Sequence, residues 1–134
     1  MKEEYLYTTG GFISQFDNCN LIFTKPIKKL CLYKCNNVIV HLKEKCFCAI
    51  EVIRCHNVIL IFDKEVYNCQ IDLSTDVSIH LNDINKPLIY IYTCSCMDIV
   101  AEYKSKLLQV KHSMFKEQWM INYYKEDVYI ERLR

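Results

Sequence analysis

Apolar residues along this chain come in short strand-length segments separated by polar corners, and the segments resemble one another at a fixed interval. Leu32-Tyr33-Lys34-Cys35-Asn36-Asn37-Val38-Ile39-Val40 realigns on Val52-Ile53-Arg54-Cys55-His56-Asn57-Val58-Ile59-Leu60 after a shift of 20 residues. A further shift of 19 lands on Ile71-Asp72-Leu73-Ser74-Thr75-Asp76-Val77-Ser78-Ile79. The next copy is Ile91-Tyr92-Thr93-Cys94-Ser95-Cys96-Met97-Asp98-Ile99, and an earlier one begins at Phe16-Asp17-Asn18-Cys19. No sustained i, i+3, i+4, i+7 pattern runs through Phe12 to Tyr103, so helices do not organise this region. A period near 20 with short β-branched segments is the signature of a β-solenoid. The pattern predicts an all-β chain folded as a right-handed parallel β-helix of about five coils of about 20 residues.

On that reading Leu32, Val52, Ile71 and Ile91 occupy one position on successive coils and stack into an inward ladder. The polar residues at 35 to 37, 55 to 57, 74 to 76 and 96 to 98 mark the corners. Asn and Asp suit such places because they tolerate left-handed backbone angles and bond neighbouring peptide groups. An antiparallel sandwich has no reason to repeat its strands every 20 residues, so it is the weaker alternative. The chain is one domain over 1–134, with repeats at about 12–103 and a closing segment at about 104–134. Within that segment the pattern predicts one or two helical turns over 114–121 and an edge strand at Val128-Tyr129-Ile130-Glu131-Arg132-Leu133. A solenoid exposes its last rung, and this segment is expected to cover it.

Composition narrows the function. With 51% hydrophobic and 25% charged residues in 134, the chain is expected to bury a core and not to be disordered. Seventeen basic and sixteen acidic residues leave a formal charge of +1, which argues against nucleic acid or an anionic membrane as partner. The longest apolar run, Val58-Ile59-Leu60-Ile61-Phe62, has strand length, so no membrane insertion is expected. Acidic residues at Glu3 and Glu4 do not suit a leader peptide, and the expected location is cytoplasmic. Nine cysteines, an odd number alternating with Val, Ile and Leu, read as reduced core thiols.

The repeat, its corners and the tail together resemble the C-terminal domain of the adenylyl cyclase-associated protein family, a β-helix of CARP repeats. Tyr33-Lys34-Cys35-Asn36-Asn37-Val38 is similar to the family's Asn-Cys-Lys corner. Glu51-Val52-Ile53-Arg54-Cys55-His56-Asn57-Val58 is similar to its Val-Glu-Ile-Ile-Asn stretch, and Cys69-Gln70-Ile71-Asp72-Leu73-Ser74 to its strand ending in Leu-Ser. Phe115-Lys116-Glu117-Gln118-Trp119 resembles its Phe-Lys-x-x-Trp spacing. Lys111-His112-Ser113-Met114 stands where the family has Pro-Glu-Gln. The resemblance implies binding of monomeric actin, preferentially with ADP, and promotion of its nucleotide exchange, which regulates filament turnover in the cytoskeleton. It also implies a homodimer through exchange of C-terminal strands, with Trp119, Tyr123, Tyr124, Val128 and Ile130 at the contact.

Candidate partner-binding residues are Lys34, His41, Arg54, His56 and His80, which project outward if the ladder residues point in. Singly, each is more simply a solvated side chain; as a patch they make a candidate actin surface. Cys46 and Cys48, like Cys94 and Cys96, are spaced to share a strand face and a zinc ion, but the same spacing is what core packing requires, so no metal or other cofactor is expected. No phosphate-binding loop exists around the only glycines, Gly10 and Gly11, and no nucleophile elbow is present, so no enzymatic activity is expected. The alternative function is that of a β-helix protein similar to tubulin-folding cofactor C, accelerating GTP hydrolysis with an arginine finger. Arg54 is the only arginine inside the repeats, though the Gln-x-Arg-x-His pattern of that branch is absent.

Overall fold

The computed structural model describes residues 2–6, 10–82, 88–93, 99–103, 106–110, 117–124 and 127–132. Among these, every regular element is a strand, and the strands lie in two sheets. Sheet A holds β1 (Lys2–Leu6), β3 (Asp17–Phe23), β5 (Asn36–Leu42), β7 (His56–Phe62), β9 (Thr75–Leu81), β11 (Ile99–Tyr103) and β12 (Lys106–Val110), in that order. Sheet B holds β2 (Gly10–Ser14), β4 (Ile27–Tyr33), β6 (Cys46–Ile53), β8 (Asn68–Asp72), β10 (Leu88–Thr93), β13 (Glu117–Tyr124) and β14 (Asp127–Arg132). From β1 to β11 successive strands alternate between the two sheets, and each of these strands runs parallel to its counterpart one coil away. This is a parallel β-solenoid of about four turns between Gly10 and Leu81, with β10 and β11 continuing the stack.

The register is the one the repeat predicts. Leu32 pairs with Val52, Val52 with Ile71, and Ile71 with Ile91, so the expected ladder is present. On sheet A the inward rows are Cys19, Val38, Val58, Val77 and Leu21, Val40, Leu60, Ile79, all buried. Alternation sends every second residue into the bore, where like stacks on like in one continuous cluster of buried side chains. The first strand, β1, extends sheet A by one rung that the repeat does not announce, because Lys2-Glu3-Glu4-Tyr5-Leu6 carries little apolar signal.

The corner between sheets B and A is built the same way four times. Gln15, Lys34, Arg54 and Leu73 have φ of 60, 53, 52 and 54°, and three residues later Asn18, Asn37, Asn57 and Asp76 have φ of 54, 55, 57 and 54°. The Asn and Asp positions confirm the corner reading; the corner expected at 96 to 98 lies outside the described residues. The first position of each pair is different, since a Cβ there costs about 1–2 kcal/mol in the left-handed region. Gln15 is exposed, so Gln15→Gly removes that strain without opening the core. After the extra chain entropy of glycine is subtracted, the variant is expected to gain up to about 1 kcal/mol of unfolding free energy, read from a urea titration.

The tail differs from expectation in kind. Where helical turns were predicted over 114–121, β13 runs through Glu117–Tyr124 and pairs antiparallel with β10, then turns back into β14. Residues 114–116 lie outside the described residues. The reason is packing: Ile121 is buried and Trp119 and Tyr123 pack on the core while Gln118 faces out, a period of two that serves a sheet edge better than a helix. At the same end β12 pairs antiparallel with β11. Reversed strands end the parallel stack on both sheets and cover its last rung.

Candidate functional site

Two ladders of side chains fix the B-to-A corner. On the outside, Asn37 Nδ2 donates to Asn18 Oδ1 at 2.6 Å and Asn57 Nδ2 donates to Asn37 Oδ1 at 3.1 Å, a column of amides running up the edge. On the inside, Cys35 and Cys55, each just after the first left-handed position, point their N–H groups into the bore, where water does not reach. The next coil supplies the acceptor: Cys55 Sγ for Cys35 N–H at 3.4 Å, and Ser74 Oγ for Cys55 N–H at 3.1 Å. Each acceptor in turn donates to carbonyls, Cys55 Sγ to Ile53 O at 3.4 Å and Ser74 Oγ to Asp72 O at 2.9 Å. The thiols at 35 and 55 are therefore polar plugs of a tight bend and not only apolar filling. The neighbouring Cys55 thiol, helped by the Phe16 N–H, pulls the Cys35 thiol below its ordinary range, while the Cys35 neighbour and burial push Cys55 up. Burial, with a smaller push from the Cys46 thiol, raises Cys69 to about 12, which leaves it an inert core thiol.

The two outer faces have different chemistry. On sheet B, Lys29 Nζ pairs with Glu51 Oε1 at 2.8 Å, and Gln70 Nε2 donates to Asp72 Oδ2 at 2.8 Å, so that face is charged and solvated. Burial raises the Asp72 carboxyl above its usual range. Over β3 to β9 the outward rows of sheet A are Asn20, Ile39, Ile59, Ser78 and Ile22, His41, Ile61, His80, continued on β1 by Glu3 and Tyr5. None of the eight positions on β3 to β9 carries Lys, Arg, Asp or Glu, and the Asn column borders them on one side. Ile39, Ile59 and Ile61 are half-buried by their neighbours in the stack and flat to the outside.

The five candidate binding residues do not form one patch. Lys34 and Arg54 sit at the same left-handed corner position on consecutive coils, and His56 lies just beyond Arg54. Lys34 Nζ lies 5.3 Å from the centroid of the Tyr33 ring; Arg54 is exposed and has no ion pair among the described residues. His41 and His80 lie on the outer face of sheet A near the ends of β5 and β9, about 16 Å along the strands from the corner at the usual rise per residue. His41 Nε2 pairs with Asp63 Oδ2 at 2.9 Å. His56 Nδ1 bonds Thr75 Oγ1, and Asp76 Oδ2 lies 3.6 Å from the same nitrogen. A hydroxyl and a carboxylate on one ring nitrogen cannot relay a proton through the ring, so these three residues do not make a nucleophilic triad.

The expected sharing of one face by Cys46 and Cys48 fails for a local reason. Ile27 pairs with Cys46 but Lys29 with Ala49, so β6 carries a bulge that breaks the alternation; Cys46 is buried and Cys48 exposed. Cys94 and Cys96 lie outside the described residues. Among the described residues no three His, Cys, Asp or Glu side chains converge as metal ligands do. The expected dimer residues sit on the β13–β14 hairpin: Val128 is buried, and Trp119, Tyr123 and Ile130 pack against this chain's own core. Tyr124 pairs with Asp127 at the turn of that hairpin. Among the described residues no helix is long and apolar enough to cross a membrane.

Sequence reasoning missed the uncharged face of sheet A. Its signal was present as the Ile39–Ile59 and His41–Ile61–His80 columns of the repeat, legible only once the coil was known to hold two strands. No family model, curated protein or solved structure matches the chain.

Proposed function

We propose that this solenoid is a protein-binding module that takes hold of its partner with the outer face of sheet A, and that the partner is monomeric actin, the ligand its sequence resemblance implies. One observation carries the first half: eight outward positions over four coils without a single full charge, on a rigid sheet with an isoleucine centre. Solvated strand faces are normally studded with Lys and Glu, whereas the centre of a protein interface is depleted of charge. The stacked strands have little conformational freedom left to lose, so the cost of ordering on contact is small. Lys34, Arg54 and His56 along the adjoining corner, and His41 and His80 within the face, then supply its polar rim.

In this reading binding loosens the nucleotide on ADP-actin and returns the monomer to the polymerisable pool in the cytoplasm. A homodimer formed by exchange of β14 between copies uses the pairs Ile121–Ile130 and Tyr123–Val128 across chains in place of within one, and light scattering reads its mass. The function is tested by release of a fluorescent nucleotide from ADP-actin. Wild type is expected to accelerate release, and Ile59→Asp, with its circular dichroism unchanged, to cancel the effect. No acceleration by wild type overturns the actin reading. If GTP hydrolysis by a small GTPase rises instead and falls with Arg54→Ala, the exposed guanidinium is the functional group.

A further inference from the structure

The inner column at the corner from sheet B to sheet A carries two thiols that the proposed actin face does not use. Its members on successive coils are Phe16, Cys35, Cys55 and Ser74, each one residue past the first left-handed position. Register holds on both sides of the thiol pair, with Tyr33 stacked on Ile53 and Asn36 on His56. The main chain is tied across it, since Lys34 N–H donates to Ile53 O at 3.1 Å and His56 N–H to Cys35 O at 3.0 Å. The side chains meet as well: Cys35 N–H donates to Cys55 Sγ at 3.4 Å, and each thiol perturbs the other. Among the described residues no other cysteine stacks on a second one. Cys19, Cys31, Cys46 and Cys69 each stand between residues of other types in the neighbouring rungs, and Cys48 lies exposed in the bulge of β6.

We infer that Cys35 and Cys55 are a peroxide-responsive pair that closes into a disulfide and staples two successive coils together. Neighbouring parallel strands stand about 4.8 Å apart, inside the range of about 4.4–6.8 Å between Cα atoms that a disulfide bridges. Closure therefore asks for side-chain rotation and not for a slip of the coils. Cys35 is the attacking group, because the Phe16 N–H and the Cys55 thiol against its sulfur favour the thiolate, the form that reacts. The thiolate attacks one peroxide oxygen, the O–O bond breaks, and the hydroxide released takes up a proton as water, leaving a sulfenic acid at Cys35. The Cys55 sulfur then attacks the Cys35 sulfur; the S–S bond forms, the S–O bond breaks, and the hydroxyl leaves as a second water with the Cys55 proton. The two thiols lose two electrons in all, and the peroxide gains them. Cys35 lies one rung inside the first corner, where Gln15 is exposed and Phe16 is 39% exposed, and a terminal rung opens to a water-sized oxidant more readily than the middle of a stack. A pair that closes transiently suits a reducing compartment, where permanent disulfides are rare. The staple joins the two corner positions held by Lys34 and Arg54, so oxidation fixes the spacing of those two cations.

The reduced full chain is treated with hydrogen peroxide, denatured, alkylated at its remaining thiols and cut with trypsin for mass spectrometry. Cleavage after Lys34 and Arg54 releases segments 35–43 and 55–64, which hold one cysteine each. A linked pair of these segments is expected to form about tenfold faster than any other cystine, and about tenfold faster in the folded chain than in urea. Dithiothreitol is expected to abolish it. In Cys55→Ser the serine accepts the Cys35 N–H as Ser74 does the Cys55 N–H, so the corner is kept, and dimedone is expected to label Cys35 as the stranded sulfenic acid. In Cys35→Ser, labelling of Cys55 is expected to be about tenfold less. Free thiols at Cys35 and Cys55 under peroxide that oxidises the exposed Cys48, or a linked pair that forms as fast in urea as in the folded chain, would overturn the assignment.

Discussion

Replacing Leu60 by Ala is expected to lower the unfolding free energy by about 2–5 kcal/mol, while the same change one residue earlier, Ile59→Ala, costs about 1 kcal/mol or less. Leu60 is wholly buried, stacked between Val40 and Ile79, so removing its three outer carbons leaves a hole that coils locked in register cannot close. Ile59 sits on the outer face of sheet A, where water fills the space it vacates. Adjacent residues of nearly equal apolarity thus differ several-fold because alternation puts them on opposite sides of one sheet. Urea titration of both variants checks the pair. Equal losses contradict the register, since a slip by one residue exchanges their roles.

Ser74→Ala is the second large effect and arises from a hydroxyl. Its Oγ accepts the Cys55 N–H and donates to the carbonyls of Asp72 and Val52, at 3.1, 2.9 and 3.4 Å, in a position with no solvent exposure. Alanine leaves a buried N–H with no acceptor and is expected to cost about 1–3 kcal/mol. Ser74→Cys restores a heteroatom that can accept, as Cys55 does for Cys35 one coil earlier, and is expected to recover most of that loss. If Cys and Ala destabilise alike in chemical denaturation, the column acts through volume and not through hydrogen bonding.

How much of this was legible in the sequence depended on whether a feature repeats. The ladder Leu32, Val52, Ile71, Ile91 was readable because a coil that stacks on its copy must spend like residues at like positions, and the Asn corners were readable because their side chains suit left-handed angles. The strain at Gln15, Lys34, Arg54 and Leu73 was not, since nothing in those residue types favours φ > 0; the closure of the bend imposes it. The bulge at Phe47 and Cys48 shows in sequence only as a coil of 20 in place of 19, without a mark for where the extra residue sits, and so the two cysteines were expected on one face. The tail was misjudged because the helix reading was taken over 114–121, where Phe115 and Trp119 stand at i and i+4, while the alternation of Trp119, Ile121 and Tyr123 that marks the strand runs past the end of that window. The candidate residues were chosen as outward and polar, which they are, but outwardness does not say which of two faces or edges a residue joins. Lys34, Arg54 and His56 went to a corner and His41 and His80 to a sheet, and the isoleucines between them carried the better signal.

The two edges of the solenoid are also unequal in how much change they accept. Along the amide column Asn37 is tied by side-chain bonds to Asn18 and Asn57 on the rungs to either side, and each corner carries a left-handed backbone pair, so an inserted residue there misaligns several rungs at once. On the opposite edge the connections are short polar turns, and β6 already absorbs an added residue in a bulge without disturbing the ladder beyond it. Inserted residues are therefore tolerated along one margin, where loops can be grafted, while the other margin keeps count.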